Sequence, residues 1–271
     1  MTVALDRLDV RFSPGRLTAL LGAPGSGKST LLQHLNGLLL PDEGRVRIFE
    51  YELGPGNPGD VPAGLRRKAG IVFQYPEQQL FAATVREELL YAPLQFGLDE
   101  SGAALAAEEA ARALGVFDLM DESPLELSSG QQRKVAIAAV LSADPELLAL
   151  DEPTASLDPE SRAELMELLA GLCRKRGKTV ITITHRLEDV LGRADECVVL
   201  SGGKRLFQGT PEQLIGRPDV MEDAGLAPPP AVRFAAMLAE KWRVAPPSLY
   251  GAEELAAWAV RMARQSGGNR T

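Results

Sequence analysis

The residues Gly22-Ala23-Pro24-Gly25-Ser26-Gly27-Lys28-Ser29-Thr30 fit the pattern G-x-x-x-x-G-K-[ST] without departure. An apolar run, Leu17 to Leu21, precedes this stretch, and apolar residues at a helical spacing follow it. Strand, glycine-rich loop and helix in this order are typical of a phosphate-binding loop. Glycines let consecutive backbone N–H groups approach a polyphosphate closely, and the helix N-terminus faces the same anion.

Two side chains of this loop have specific predicted roles. Lys28 adds a positive charge at the β- and γ-phosphates, and the Ser29 hydroxyl can bind magnesium. The other loop residues that we expect at the phosphates are Gly22, Gly25, Ser26, Gly27 and Thr30. A glycine- and serine-rich turn that matches by chance is the alternative, and the flanking strand and helix argue against it.

Composition and charge restrict the class of protein. The chain has 271 residues, 45% of them hydrophobic, which allows one large domain or a domain with an appendage. Its net charge of −8 has the wrong sign for general nucleic-acid binding, so no nucleic-acid partner is expected. No segment resembles a membrane span or a signal peptide. Two histidines exclude a histidine-rich metal site, and the two distant cysteines are expected to be reduced core residues.

Hydrophobic patterns along the chain predict an α/β fold with two additions. Strands are expected at residues 3–12, 17–21, 45–51, 69–73, 147–150 and 179–184, and in a β-hairpin that turns at 201–203. Helices are expected at residues 28–39, 84–94, 103–114, 127–141, 158–176 and from 210. The helical patterns between residues 75 and 142 interrupt the sheet and predict an inserted helical subdomain within a domain of residues 1–217. Residues 218–271, with two short helical patterns separated by prolines, predict a C-terminal helical appendage whose end, from residue 265, is disordered.

Acidic residues follow the buried run Leu147 to Leu150 directly. Asp151 at the strand end is placed to bind magnesium, either directly or through water, and Glu152 is placed to polarise an attacking water. Adjacent carboxylates at a loop edge can also be plain surface charge. Their position after a buried strand favours the functional interpretation.

Six motifs occur in the order seen in the ATPases of ABC transporters, which the chain resembles over nearly its whole length. They are the phosphate loop, Gln74, the signature segment Leu127-Ser128-Ser129-Gly130-Gln131, Asp151-Glu152, Ser156-Leu157-Asp158, and His185. The resemblance implies an ABC-type fold with an antiparallel β subdomain. It also implies two ATPase subunits arranged head to tail around two ATP molecules, each held between one subunit's phosphate loop and the other's signature segment.

The resemblance also implies roles for single residues. Gln74 would sense magnesium and the attacking water, Asp158 would link the two sites, and His185 would contact the γ-phosphate. In the signature segment, Ser128, Gly130 and Gln131 would meet the nucleotide, because a helix N-terminus presents donors to a phosphate. Without the resemblance, this segment would predict only a helix cap.

A narrower resemblance covers Val72 to Phe81, followed by Thr84-Val85, and is to the energy-coupling factor ATPases. The sequence of these residues is closer to that of the second of the two paralogous ATPases of that group. It implies an importer of vitamins or transition-metal ions with a second ATPase subunit, identical or paralogous. A transmembrane coupling subunit and a small membrane protein that captures the substrate would complete the importer. The chain would then lie at the cytoplasmic face of the cell membrane as a peripheral subunit.

Under this resemblance, residues 75–90 are the docking surface for the coupling subunit. Tyr75, Leu80 and Phe81 supply its apolar anchors. Packing of these side chains inside the helical subdomain is the alternative interpretation.

Two alternatives and two departures stand beside the resemblance. A conventional importer or exporter ATPase is one alternative, and a soluble ABC ATPase of DNA repair or of the ribosome is the other. The latter predicts a coiled-coil insertion, paired nucleotide domains or a basic arm, which the sequence lacks. Ser129 replaces the glycine that is usual in the family. No residue matches the aromatic side chain that stacks on adenine, so we expect weak base recognition or a longer N-terminus, with Phe12 packed in the core.

Overall fold

Five parallel strands and one antiparallel edge strand form the central sheet of the computed structural model, which describes residues 3–245 and 252–267. The strands are β1 (Leu17–Leu21), β2 (Val46–Ile48), β3 (Tyr51–Leu53), β4 (Ala69–Val72), β5 (Leu147–Asp151), β6 (Thr179–Ile183), β7 (Glu196–Ser201) and β8 (Lys204–Gly209). The sheet order is β4-β5-β6-β1-β7-β8, and β2 pairs with β3 in a separate antiparallel hairpin. The α/β prediction with an antiparallel β element is therefore confirmed.

Helices cover the sheet and form the insertion. They are α1 (Lys28–His34), α2 (Ala63–Lys68), α3 (Val85–Gln95), α4 (Glu100–Leu114), α5 (Ser129–Leu141), α6 (Pro159–Arg176), α7 (Leu187–Val190), α8 (Pro211–Ile215), α9 (Pro218–Asp223), α10 (Pro230–Trp242) and α11 (Ala252–Gly267). Short 3₁₀ turns occur at Pro58–Asp60, Pro76–Gln79, Phe117–Leu119 and Pro124–Glu126. Among the described residues no helix is long and apolar enough to cross a membrane.

The central strands of the sheet are buried on both faces, whereas the edge strand β8 is partly exposed. All five residues of β1 are buried, and they alternate between two hydrophobic cores: Leu17, Ala19 and Leu21 belong to one, and Leu20 to the other. Alternation of this kind follows from the two-residue period of a strand. Because helices pack on both faces of a parallel sheet, its strands read as continuous apolar runs.

Helices α3, α4 and α5 pack on one another and are inserted between β4 and β5, which are neighbours in the sheet. The chain therefore leaves the sheet at the end of one strand and returns to it at the adjacent strand. This arrangement keeps the end of β4 and the end of β5 side by side despite the long insertion.

The predicted strand at residues 3–12 is wrong, although its predicted inward face is right. Leu8, Val10 and Phe12 pack against the second core, as the alternation indicated. The described part of the segment forms no strand ladder: the Asp6 N–H donates to the Gly203 carbonyl at 2.9 Å, and the Gln208 side chain of β8 donates to the Arg11 carbonyl at 2.6 Å. An inward-facing alternation fixes side-chain direction, whereas a strand also needs a paired backbone.

Helix α1 ends at His34, five residues before the predicted end at residue 39. Gly37 adopts a left-handed conformation with φ of 71°. The Leu38 N–H then bonds the Gln33 carbonyl, at 3.0 Å. This is the hydrogen-bond pattern by which a glycine ends a helix.

The C-terminal region consists of two parts. Residues of α9 and the turn after it belong to the main core, whereas α10 and α11 form a separate cluster around Trp242 and Trp258, whose rings lie 5.4 Å apart. The division of the chain at residue 217 remains a prediction. Helix α11 continues to Gly267 where disorder was predicted, and residues 268–271 lie outside the described part.

Candidate nucleotide-binding and hydrolysis site

Four neighbouring parallel strands bring the predicted site residues together. Across the sheet, Gln74 follows β4, Asp151 and Glu152 end β5, His185 follows β6, and the phosphate loop follows β1. Parallel strands place their carboxyl ends at one edge, which is where ligands bind in open α/β sheets. Residues separated by up to 163 positions in sequence therefore share one edge of the sheet.

The phosphate loop packs tightly against strand β7. Gly22 has φ of 143°, and a Cβ at this position would lie 2.2 Å from the Leu200 carbonyl oxygen. Only glycine can bring the backbone this close. The loop is also tied to the turn after β7, because the Gly203 N–H donates to the Ser26 carbonyl at 3.2 Å.

Lys28 lies at the centre of the loop and is only 7% exposed. Its Nζ donates to the carbonyls of Gly22 (2.9 Å) and Ala23 (2.8 Å) and to the Ser26 hydroxyl (3.3 Å). Burial lowers the pKa of Lys28, and the negative charges of Glu152 and Asp151 oppose that shift. The ammonium group therefore lies where it can bind phosphate and within the field of both acids.

Oxygen donors for a magnesium ion meet at the end of β5. Burial raises the pKa of Asp151, and a hydrogen bond with the Ser29 side chain opposes this shift. A hydroxyl beside a carboxylate is a donor pair that suits a hard cation, which completes its shell with phosphate oxygens and water. No group of three or more histidine, cysteine, aspartate or glutamate side chains that could hold a metal occurs in the described part of the chain. Ser29 and Asp151 thus offer two oxygen donors that fit a hard cation.

The Glu152 carboxylate lies between the other two predicted catalytic side chains. Gln74 Nε2 donates to Glu152 Oε2 at 3.3 Å, and His185 Nδ1 lies 3.5 Å from Glu152 Oε1. Glu152 itself is in the left-handed region, with φ of 48°, which is uncommon for a residue other than glycine. This carboxylate thus faces one side chain that follows β4 and one that follows β6.

The signature segment and Asp158 do not contact the phosphate loop of their own chain. Ser128 and Gln131 form a capping box at the start of α5. Gly130 borders a cavity that it shares with Leu157 and other residues of α5 and α6, and no phosphate-loop residue lines that cavity. Asp158 caps α6 by accepting from two backbone N–H groups, each at 3.0 Å. The predicted contacts of these residues with a nucleotide remain a prediction.

Sequence reasoning missed three buried charged side chains around the site. Glu88 accepts from the backbone of Phe81 and Ala82, Arg133 binds Glu77 and the loop after Glu152, and Asp189 binds Thr154. Helix periodicity could have revealed two of them. Arg133 lies on the buried face of α5 with Ile137 and Leu141, and Glu88 lies on that of α3 with Val85 and Leu89.

Comparison with known proteins identifies the family of the chain. The ABC transporter family profile matches residues 5–155. The energy-coupling factor transporter ATP-binding protein EcfA2 of Listeria welshimeri is 43% identical over 89% of this chain and 84% of its own. The protein of the same name from Bacillus cereus is 41% identical over 97% and 91%.

Solved structures give the same result. The cbiO1 protein of Clostridium perfringens, described as part of the ABC transporter complex cbiONQ, superposes with a TM-score of 0.70 at 36% identity, covering 81% of this chain and 86% of its own. A dimeric ATP-binding cassette, MJ0796, bound to ADP and phosphate superposes with a TM-score of 0.66 at 27% identity, covering 77% and 91%. The chain belongs to the ABC transporter family and, within it, to the ATP-binding proteins of energy-coupling factor transporters.

Proposed function

We propose that this ATPase hydrolyses magnesium-bound ATP within a pair of ATPase subunits and thereby drives an importer of vitamins or transition-metal ions. The observation that carries the proposal is the meeting of Gln74, Glu152 and His185 with the phosphate loop at one edge of the sheet. The relatives' names support the transport role. They disfavour a soluble ABC ATPase of DNA repair or of the ribosome.

In the proposed reaction, the side chains at this edge of the sheet have separate roles. Lys28 and the loop amides hold the phosphates, and Ser29 with Asp151 would hold magnesium, which when bound neutralises charge on the phosphates. Glu152 accepts the proton of the attacking water, or polarises that water. His185 and Gln74, which flank the carboxylate, orient it towards the γ-phosphate.

A second subunit would complete the site. The signature residues Ser128, Gly130 and Gln131 border a cavity that no phosphate-loop residue lines, which supports a role at a nucleotide held by a partner, and Asp158 would link the two sites. The dimeric structure of the cassette MJ0796 bound to ADP and phosphate supports this arrangement. The partner is a second copy of this chain or a paralogous ATPase, and the mass of the purified complex distinguishes the two.

Docking to a transmembrane coupling subunit is proposed at the surface Tyr75–Leu90. Phe81 is 66% exposed and Tyr91 51% exposed, and their rings meet edge to face with centroids 5.1 Å apart. Together with Leu80 they border an apolar groove between α3 and α5. Exposed aromatic side chains beside an apolar groove are typical anchors of an interface.

The docking surface is held in shape by a buried carboxylate. Glu88 is 6% exposed, and its Oε2 accepts from the N–H groups of Phe81 and Ala82, each at 2.9 Å. Hydrogen bonds to a charged group are stronger than those between neutral groups. The segment that carries Phe81 is therefore preorganised, which reduces the entropy lost on docking. In the importer, the ATPase would lie on the cytoplasmic face of the membrane, beside a small substrate-binding membrane protein.

Mild-detergent extraction of native membranes with the tagged protein, followed by mass spectrometry, tests the transport assignment. We expect wild type to recover a polytopic coupling subunit and a small membrane protein, and Phe81→Asp to lose both. Leu105→Asp, at a residue that is also 66% exposed but lies on α4, is the matched control and should keep both partners. Recovery of ribosomal or DNA-associated proteins alone would overturn the transport assignment and leave the ATPase chemistry unaffected.

A further inference from the structure

Arg133 is a large charged side chain that is almost fully buried, at 2% exposure. A buried guanidinium is costly unless it is paired and its donors are satisfied. Two of its nitrogens bind Glu77 as a fork: Nη2 donates to Oε1 at 2.7 Å, and Nε donates to Oε2 at 3.1 Å. Glu77 lies in the 3₁₀ turn Pro76–Gln79, within the docking surface.

The third nitrogen of Arg133 binds the loop that carries Glu152. Nη1 donates to the Pro153 carbonyl at 3.2 Å and also to the Ala155 carbonyl. Pro153 follows Glu152 directly. One guanidinium therefore joins the turn after Gln74 to the loop after β5, and its planar fork holds both partners in a fixed geometry that a flexible ammonium group would not impose.

The loop that Arg133 holds has an unfavourable backbone. Glu152 has φ of 48° and Ser156 has φ of 62°, and neither is a glycine. Such conformations cost roughly 1–3 kcal/mol each and persist only where neighbouring contacts fix them. Thr154 is also held, because its hydroxyl donates to the buried Asp189 carboxylate at 3.0 Å. Arg133 and Asp189 thus hold three consecutive residues of the loop that follows Glu152, namely Pro153, Thr154 and Ala155.

We propose that Arg133 is a positioning residue for Glu152 and that it transmits the position of the turn Pro76–Gln79 to this carboxylate. The effect on Glu152 stands without docking, whereas transmission from the coupling subunit rests on the proposed function. Binding at the docking surface would shift Glu77, and the guanidinium would shift the carbonyls beside Glu152. Contact with the membrane subunit would thereby change the rate of hydrolysis.

Steady-state ATPase kinetics of the purified protein test the positioning role without any membrane partner. Glu77→Gln keeps the shape and one acceptor but loses the charge that orients the guanidinium, and Arg133→Lys keeps the charge but loses the fork. We expect each variant to lower kcat by about tenfold or more and to leave the Kd for a fluorescent ATP analogue within twofold, because neither residue contacts the phosphate loop. A defect in folding alone would lower the amount of active protein and the melting temperature instead.

The matched control is Arg217→Gln, which removes a forked arginine–carboxylate pair with Asp219 on the exposed surface, at 2.6 Å and 2.9 Å. Its kcat and Kd should match wild type. The double variant Glu77→Gln/Arg133→Lys should have a kcat no lower than that of the less active single variant, because the pair acts as one unit. A kcat for Glu77→Gln within twofold of wild type, or a Kd that rises in proportion as kcat falls, would overturn the proposal. If Arg133→Lys does not fold, Glu77→Gln alone decides, because this residue is partly exposed.

Separate measurements keep the two proposals apart. Loss of membrane partners by Phe81→Asp tests docking, and kinetics of the purified Glu77→Gln protein test positioning. Normal kinetics with intact docking would overturn the role of Arg133 alone. A reduced kcat of purified Glu77→Gln, together with a tagged wild-type protein that recovers no membrane partner, would overturn the docking proposal alone.

Discussion

Two glycines of the phosphate loop differ in what a methyl group would meet, and this difference gives a quantitative test of the structure. At Gly22 a Cβ would lie 2.2 Å from the Leu200 carbonyl oxygen and 2.8 Å from the Ser26 hydroxyl. At Gly25 nothing lies within 4 Å of the added atom. Both residues have positive φ, 143° and 77°, so both substitutions carry backbone strain, and only one also carries a collision.

The expected costs follow from these two terms. A positive φ costs an L-residue roughly 1–2 kcal/mol, and forcing extra volume into a packed site costs about 1–3 kcal/mol more. Gly25→Ala should therefore reduce the free energy of unfolding by about 1–2 kcal/mol, and Gly22→Ala by about 2–5 kcal/mol. Because the collision pushes the loop away from β7, Gly22→Ala should also weaken ATP binding by at least about tenfold, or roughly 1.4 kcal/mol.

Urea unfolding followed by far-ultraviolet circular dichroism measures the first effect, and titration with a fluorescent ATP analogue measures the second. The comparison between the two variants decides the outcome, because both lie in one loop and add the same methyl group. Equal destabilisation by Gly22→Ala and Gly25→Ala would refute the close approach of the loop to Leu200. So would a Gly22→Ala protein as stable as wild type.

Three further predictions concern the chemistry. Glu152→Gln removes the charge and keeps the size, so kcat should fall about 10²- to 10⁴-fold while ATP still binds. Glu167→Gln, on the exposed face of α6, should change neither kcat nor ATP binding. Phosphate release measures kcat and nucleotide titration measures binding, and normal turnover by Glu152→Gln would contradict the role of Glu152 as the residue that activates water. Chelation of magnesium by EDTA should abolish ATP hydrolysis, and added Mg²⁺ should restore it. Ser29→Ala should raise the magnesium concentration needed for half-maximal rate. An unchanged magnesium requirement in this variant would exclude Ser29 as a ligand. Burial raises the pKa of Cys173 to about 11 and that of Cys197 to about 12. Iodoacetamide should therefore alkylate neither thiol at pH 8 until the protein is unfolded, and mass spectrometry would show this. Rapid labelling of the native protein would contradict the burial of the two thiols.

The raised thiol pKa values also give a direction for the dependence on pH. The folded state holds the thiol protons more tightly than the unfolded state, so these two groups contribute their full stabilisation below the ordinary thiol pKa of 9.0. Above that pH the unfolded thiols ionise while the folded ones stay protonated, which favours unfolding, so the free energy of unfolding falls as pH rises. The loss is complete once pH passes the raised values.

Much of the fold could be predicted because its elements are local. The boundaries of α6 follow from the Asp158 cap, the first-turn proline and Gly177, all visible in sequence and all present in the structure. The capping box at Thr210 and the hairpin turn after β7 are equally local. The strand predicted at residues 3–12 was wrong because a strand depends on a partner that no local pattern reveals.

The candidate site divides in the same way. The phosphate loop, Asp151 and Glu152 could be predicted because each is a short motif at the end of an apolar run. The placement of Gln74 and His185 beside Glu152 depends on the order β4-β5-β6, which periodicity does not give. Roles for these two residues at the sequence level came only from the family resemblance.

The sequence by itself determined the class of chemistry, because a polyphosphate needs glycines, a lysine and a hydroxyl at fixed spacing within one loop. The tertiary structure alone decided which distant groups meet that loop and what holds them. The bond of Arg133 to Glu77 spans 56 residues, and its bonds to Pro153 and Ala155 span 20 and 22. A buried charge is stable only where the fold supplies its partners, and those partners come from elements that no local pattern places side by side.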